Sequence, residues 1–403
     1  MPTRFTPLTL FILARFRSLV FQLSFILLWI GFTPANAQVD DDTLHVDLVF
    51  CLDLSASTNG LIEHIREHLW DYTYLFDQCT PKPQYRIGFV AFSRPSFKKE
   101  NQYVKVVNDL TTDLDLISNN MFDLIPEVEK GDQYVGAALQ TCLRNISWTK
   151  HTNSLKIVFI AGNGMINLGE ADALAAAAKL VQSNISVFPI YCANRTIPQE
   201  LRSWNELAVA SNQTLQTLSL NNHYYERVNP LLIDKLRKLN KKLNATYLYY
   251  DNDGKARWKI LDKEDFNIFL ENAEGLRYRS IFKLSPYYAD VHYNWDLVDL
   301  SLQKKIDWNR FDHKQFSDTM KFMDDNELNA YLIFKKYERK KYQTLISKLL
   351  EEIELDAEKN FPQRDKLMRT FDTITIQILE DQLKIRDIAL KRSLIHAVLP
   401  NKP

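Results

Sequence analysis

The sequence predicts an α/β fold, a doubly wound and mainly parallel sheet, followed by a mostly helical C-terminal domain. Three observations carry that expectation. Apolar runs of strand length recur between Val46 and Tyr191 and alternate with stretches whose apolar residues repeat at helical spacing. An acid and two hydroxyls, Asp53, Ser55 and Ser57, directly follow the first run, where open α/β sheets bind ligands. Past about residue 225 the strand pattern gives way to charged, helix-spaced sequence.

Val46 to Leu52 is too uniformly apolar for a half-exposed strand and suits a buried parallel one. Leu61, Ile62, Ile65, Leu69, Trp70 and Phe76 predict a helix from Leu61 to Phe76 with one core face. Arg86 to Phe92 is a second strand and Val104 to Val107 an edge strand. Leu114 to Ile125 and Val135 to Leu143 read as helices. Ile157 to Ile160 is a third buried strand, followed by an Ala-rich helix from Glu170 to Val181. Ile185 to Tyr191 is the next strand and Trp204 to Ala210 the last helix of this half. Such alternation implies right-handed crossovers.

In the second half, Leu231 to Leu243 reads as a helix with basic residues on its outer face. Tyr247 to Tyr250 and Ala256 to Ile260 flank Asp251-Asn-Asp-Gly254, whose Asp-Gly predicts a hairpin turn. Helices are expected from Lys263 to Leu284, then an aromatic segment from Tyr287 to Asp299. A long charged helix from Glu327 to Asn360 and a helical stretch from Gln363 to Val398 complete the chain. The expected domains are 44–220 and 225–403. No Gly/Ser-rich linker separates them, so they should pack together.

With 403 residues, 46% of them hydrophobic, the chain can bury a sizeable core. Fifty basic and fifty acidic residues cancel, so no global field draws nucleic acid or an anionic membrane. Residues 1–37 read as a signal peptide. Arg4, Arg15 and Arg17 form its basic region, Leu19 to Phe32 its apolar run, and Ala35-Asn36-Ala37 its cleavage site. The apolar run is shorter than the roughly 18 residues a spanning helix needs. The mature chain is expected to begin near Gln38 without a transmembrane helix, and to be periplasmic, extracellular or on the cell surface. Disulfides are allowed there. Cys51, Cys79, Cys142 and Cys192 can pair in three ways or remain buried thiols.

Oxygens at Asp53, Ser55 and Ser57 can converge on a hard cation such as Mg²⁺. The Asp-x-Ser-x-Ser pattern resembles the metal-ion-dependent adhesion site (MIDAS) of von Willebrand factor type A (VWA) domains. The predicted order of elements over about 44–220 is similar to that family's layout. Asp47-Leu-Val-Phe-Cys-Leu-Asp53, Asn59-Gly-Leu-Ile62, Trp70, Lys156 to Asn163 and Ile190-Tyr-Cys192 resemble an exported bacterial subgroup. Tyr293 to Asp299, and Tyr337 to Gln343, resemble segments that trail the domain in that subgroup.

The resemblance implies a cation held directly by two serines and through water by the aspartate. A threonine from a later loop and an aspartate after the central strand join them, and a partner's carboxylate completes the shell. Here the later loop, Gly131 to Gly136, has Gln133 at the threonine position, with Asp132 beside it able to serve instead, and Asn163 replaces the aspartate. An amide keeps an oxygen but removes a charge, so Mg²⁺ or Ca²⁺ should bind weakly. The implied role is non-enzymatic protein–protein interaction of cell-adhesion type, the partner offering an acidic side chain. The alternative is a metal-independent structural or scaffold protein with a vestigial site, in which Asp53 and the serines only order the turn and cap the next helix.

Other patterns carry less. His64 and His68, beside Glu63 and Glu67, have zinc-pair spacing but lack a His-Glu-x-x-His order and a nearby third ligand, so a solvated helix face is expected. Asp251-Asn-Asp-Gly254 lacks the closing glutamate of a calcium loop. No Gly-x-Ser-x-Gly and no glycine-rich phosphate loop occurs among only ten glycines. The aromatic segment from Tyr287 suits a core or an internal interface better than a sugar or peptide site.

Overall fold

Strand β1 (His45–Asp53) occupies the middle of a six-stranded sheet. Its side chains alternate: Val46, Leu48, Phe50 and Leu52 enter one core cluster, Val49 and Cys51 another on the opposite face. A strand apolar on both faces needs a cover on each, which dictates helices on both sides. The structure is a computed structural model describing residues 43–390, except 59, 125–128, 221–227, 272, 293, 304–305 and 361–369. The segment read as a signal peptide lies outside the described residues, and among those described no helix is long and apolar enough to cross a membrane.

After β1 come α1 (Leu61–Glu67), α2 (Leu69–Asp77), β2 (Cys79–Thr80), β3 (Gln84–Phe92), β4 (Val104–Thr111), α3 (Leu114–Phe122) and α4 (Val135–Arg144). Then follow β5 (Ser154–Gly162), α5 (Ala173–Gln182), β6 (Ser186–Cys192), α6 (Pro198–Ala210) and β7 (Gln216–Leu218). The sheet order is β4-β3-β1-β5-β6-β7, parallel throughout except for the antiparallel edge strand β4. Helices α4, α5 and α6 cover the Val49 face with Leu139, Ala177 and Trp204, and α1, α2 and α3 cover the Phe50 face with Ile65, Trp70 and Ile117. This is the doubly wound α/β class that the alternating pattern predicts.

The remaining chain is mostly helical: α7 (Pro230–Asn244), α8 (Asn252–Glu271), α9 (Ala273–Leu284), α10 (Pro286–His292), α11 (Leu297–Gln303), α12 (Asp325–Asn360) and α13 (Phe371–Lys384). A two-residue strand, β8 (Ala389–Leu390), pairs antiparallel with β2. Leu236, Leu276, Trp295, Leu350 and Phe371 belong to the same buried cluster as Phe50 and Trp70. Both halves therefore share one core, and from Thr43 onward the chain is one compact unit.

The seam between α3 and the later helices is polar at its centre. Arg279, wholly buried, bonds both oxygens of Asp115, reaches Asp265 at 2.7 Å and lies 4.7 Å above the Trp70 ring. Lys283 bonds Asp265 at 2.7 Å and Asn244 at 2.6 Å. The pairing holds the Asp265 carboxyl below its ordinary range although burial pushes it up. The two trailing segments that resemble the subgroup meet each other as well. Arg339 donates to Asp296 and Asp299, each at 2.7 Å, and stacks 3.9 Å over the Tyr247 ring.

Several expectations need correction. Asp251-Asn-Asp-Gly254 is not a hairpin but a helix start: the Asp251 carboxylate accepts from the Gly254 amide at 2.6 Å, and its carbonyl accepts from Lys255 at 3.0 Å. An N-cap aspartate outweighs the Asp-Gly signal where no strands flank it. The helix read from Leu61 to Phe76 breaks at His68, whose φ of −109° and ψ of 8° end α1 and open α2. His64 and His68 do not lie on a solvated face; both are buried, because helices α3 and α13 pack on that layer. The helical stretch from Gln363 is helix only over Phe371–Lys384, with 361–369 and 391–403 outside the described residues. All four cysteines are buried free thiols. The aromatic segment is core, with Tyr288 and Trp295 buried.

Candidate functional site

Two of the three loops expected to converge leave the sheet side by side because β1 runs parallel beside β5, with Leu52 opposite Ala161; the third, Gly131 to Gly136, joins α3 to α4. Strands in register end together, so their following turns share one rim. Asp53 closes β1 and is fully buried. The Ser55 amide donates to Asp53 Oδ1 at 2.8 Å, and Thr58 Oγ1 donates to the Asp53 carbonyl at 2.7 Å. This turn presents Ser55 and Ser57 toward β5.

Two glycines make the approach close enough. A Cβ on Gly162 would lie 2.7 Å from Asp53 Cβ, so β5 can end against β1 only without a side chain there. Gly164 has a φ of +75°, and a Cβ on it would sit 2.3 Å from Gln133 Oε1. The backbone thus delivers Asn163 to the serines and lets Gln133 pack above it.

The polar atoms form a directed chain. Ser57 Oγ donates to Asn163 Oδ1 at 2.8 Å, which uses its one proton, so Ser55 Oγ donates to Ser57 Oγ at 2.9 Å. Ser55 in turn accepts from Gln133 Nε2 at 3.4 Å, and Asn163 Nδ2 donates to the carbonyls of Ser57 at 3.2 Å and Cys192 at 3.1 Å. Asp53 Oδ2 is buried with no hydrogen-bond partner. Burial pushes the Asp53 carboxyl up to about 6, with Ser55, the Ser93 hydroxyl and the Asn163 backbone amide pulling it partly back. An unpartnered carboxylate oxygen beside hydroxyl and amide oxygens is a hard, oxygen-rich donor set, which suits Mg²⁺ or Ca²⁺ better than a softer metal.

Five of the six predicted residues meet here: Asp53, Ser55, Ser57, Gln133 and Asn163. Asp132 is exposed and joins none of these bonds; Gln133, at the threonine position, faces the serines instead. The sequence reading did not single out Ser93, which follows β3 with a φ of +73° and whose carbonyl crowds Gly131. Nor did it single out Glu129, whose carbonyl accepts from Ala56 at 2.7 Å while its carboxylate accepts from the Ser96 amide at 2.8 Å. Ser93 follows the neighbour of β1, and the rule that sites gather at strand ends on both sides of the switch point marks it.

No family model matches the chain, and no curated protein matches it. Solved structures similar to it include proximal thread matrix protein 1 from the mussel byssus with a zinc-occupied MIDAS motif: 17% identity over 45% of this chain and 43% of that one, TM-score 0.35. The manganese-loaded TRAP protein of Plasmodium vivax is 16% identical over 45% of this chain and 70% of that one, TM-score 0.31. The VWA domain of SpRpn10 is 15% identical over 44% of this chain and 88% of that one, TM-score 0.31. The match spans less than half the length of the mussel protein. The fold assignment rests on the sheet topology of the chain itself.

Proposed function

We propose that the chain is a non-enzymatic, exported binding protein whose VWA-type half recognises another protein at the strand-end rim, through a weakly held Mg²⁺ or Ca²⁺ and an acidic side chain of the partner. The observation that supports this reading is the convergence of Asp53, Ser55, Ser57, Gln133 and Asn163 from three loops beside the unpartnered Asp53 Oδ2. Asp53 is the sole carboxylate of that set, so the cation supplied there would keep most of its charge for the partner's acid. Ser55 and Ser57 would give up their mutual hydrogen bond and offer lone pairs. The periplasm, the cell surface and the external medium are the compartments in which this reading places the protein.

One observation favours the metal-independent scaffold reading. The chain from Gln133 through the serines to Asn163 satisfies its own hydrogen bonds, so those groups need no ion. Calorimetric titration with Mg²⁺ and Mn²⁺ separates the two. Weak binding to the wild type, abolished in Asp53→Ala and tightened in Asn163→Asp, supports the cation reading. Absence of binding in both the wild type and Asn163→Asp leaves the scaffold reading.

A further inference from the structure

A second cluster of ligand-type atoms draws on none of the rim residues. Among the described residues, His68, Asp71 and Asp372 each bring one ligand atom to a point where all three lie within 4.8 Å of one another. His68 Nδ1 is 2.9 Å from Asp71 Oδ2 and 3.8 Å from Asp372 Oδ2. Tetrahedral coordination with bonds of about 2.0–2.1 Å sets donor atoms roughly 3.3 Å apart, so the two measured edges bracket the required spacing. Small side-chain rotations close the difference.

The cluster has more than proximity. Asp372 is only 9% exposed and its Oδ1 has no hydrogen-bond partner; Asp71 Oδ1 is likewise buried and unpartnered. Acids in the first turn of a helix stabilise the helix dipole, and Asp71 and Asp372 both occupy such positions, in α2 and α13. That role explains the presence of two carboxylates but not two desolvated oxygens without donors, each of which costs free energy when buried. The nearby Arg277 guanidinium, which acts on Asp71, is itself bonded to Glu354 at 2.7 Å.

The supports are rigid. Phe371, wholly buried, packs against Phe50 with ring centres 6.1 Å apart, and Tyr72 bonds Thr375 at 2.6 Å, so α13 is fixed on the sheet and on α2 to either side of Asp372. His68 is held where α1 ends and α2 begins.

We propose that His68, Asp71 and Asp372 form a zinc-type site that clips α13 to α2. One imidazole nitrogen and two carboxylates suit Zn²⁺ over Mg²⁺ or Ca²⁺, which prefer all-oxygen shells. Metal replaces the Nδ1 proton now shared with Asp71, and water fills the fourth position on the side where Asp71 is partly exposed. The site is independent of the strand-end rim.

The test uses the full chain, stripped with chelator and titrated with Zn²⁺, with bound metal counted by mass spectrometry and Co²⁺ absorption reporting tetrahedral geometry. One zinc per chain is expected in the wild type and in Asp53→Ala, and none in His68→Ala or in the near-isosteric Asp372→Asn. Hydrogen exchange should show zinc-dependent protection of 371–384 in the wild type. A wild type that takes up no zinc, stoichiometric zinc retained in Asp372→Asn, or zinc lost in Asp53→Ala would each overturn the assignment.

Discussion

Charge is spread very unevenly between the strand-end rim and the seam beneath α3. At the rim one buried carboxylate among the described residues, Asp53, is surrounded by hydroxyls and amides. At the seam Asp115 and Asp265 face Arg279 and Lys283, with Arg257 bonding Asp113 at 2.9 Å beside them. Neutral groups that bond to one another can be rearranged by a ligand at modest cost. Buried ions cannot, because removing one strands its partner. The chain thus keeps its rearrangeable polar groups at the strand-end rim and its ions where two helical layers must stay registered.

The sharpest way to break that contrast is Arg279→Met. It leaves Asp115 buried without its main partner and Asp265 with Lys283 alone, and unfolding free energy should fall by about 3–5 kcal/mol in urea titration. A loss below about 1 kcal/mol would show that the seam tolerates rearrangement as the rim does.

Glu264 offers a pH test of the same seam. It is wholly buried, bonds Ser118 at 2.6 Å through one oxygen and leaves the other unpartnered. Burial pushes its carboxyl from 4.5 up to about 7, offset in part by Ser118 and Arg279. The folded state therefore holds this proton more tightly than the unfolded state. Its contribution is fully present below about pH 4.5 and is lost as pH rises through about 7, by roughly 3 kcal/mol. Glu264→Gln should remove that decline, so that the variant is more stable than the wild type at pH 8 but not at pH 4.5. Parallel pH profiles of the two proteins in denaturant titrations would contradict this.

At the rim, Asn163→Asp adds a second carboxylate. Calorimetry should show Mg²⁺ binding about tenfold tighter, or about 1.4 kcal/mol. Without cation the substituted carboxylate faces the Ser57 and Cys192 carbonyls that Asn163 now serves as donor, so the metal-free melting temperature should fall. The smallest effect belongs to a feature outside both regions. Asp251→Ala removes the α8 cap and should cost about 1 kcal/mol of stability, read by thermal unfolding.

The rim was legible in the sequence because its chemistry is local. Asp53, Ser55 and Ser57 are near neighbours, and Gln133 and Asn163 were reached only through the resemblance to the VWA pattern. Strand β1 was legible because burial on both faces leaves an unbroken apolar run. The His68 cluster was not, since Asp372 enters it from the other end of the chain and no spacing rule links the two. The burial of His64 was missed for the same reason: a helix face looks solvated until a later helix is known to cover it. Asp251 was misread because Asp-Gly opens turns and aspartate caps helices, and only the flanking structure decides between them.

The closure of β1 by α13 has a kinetic meaning. Tyr72 and Thr375 are 303 positions apart, and Phe371 completes the packing over Phe50 at the centre of the first strand. During synthesis the sheet emerges long before the helix that finishes its face. Contacts of such sequence separation form late and carry a large loop-closure cost. Until α13 docks, the sheet keeps an apolar flank open, and a state of that kind is prone to association with other chains.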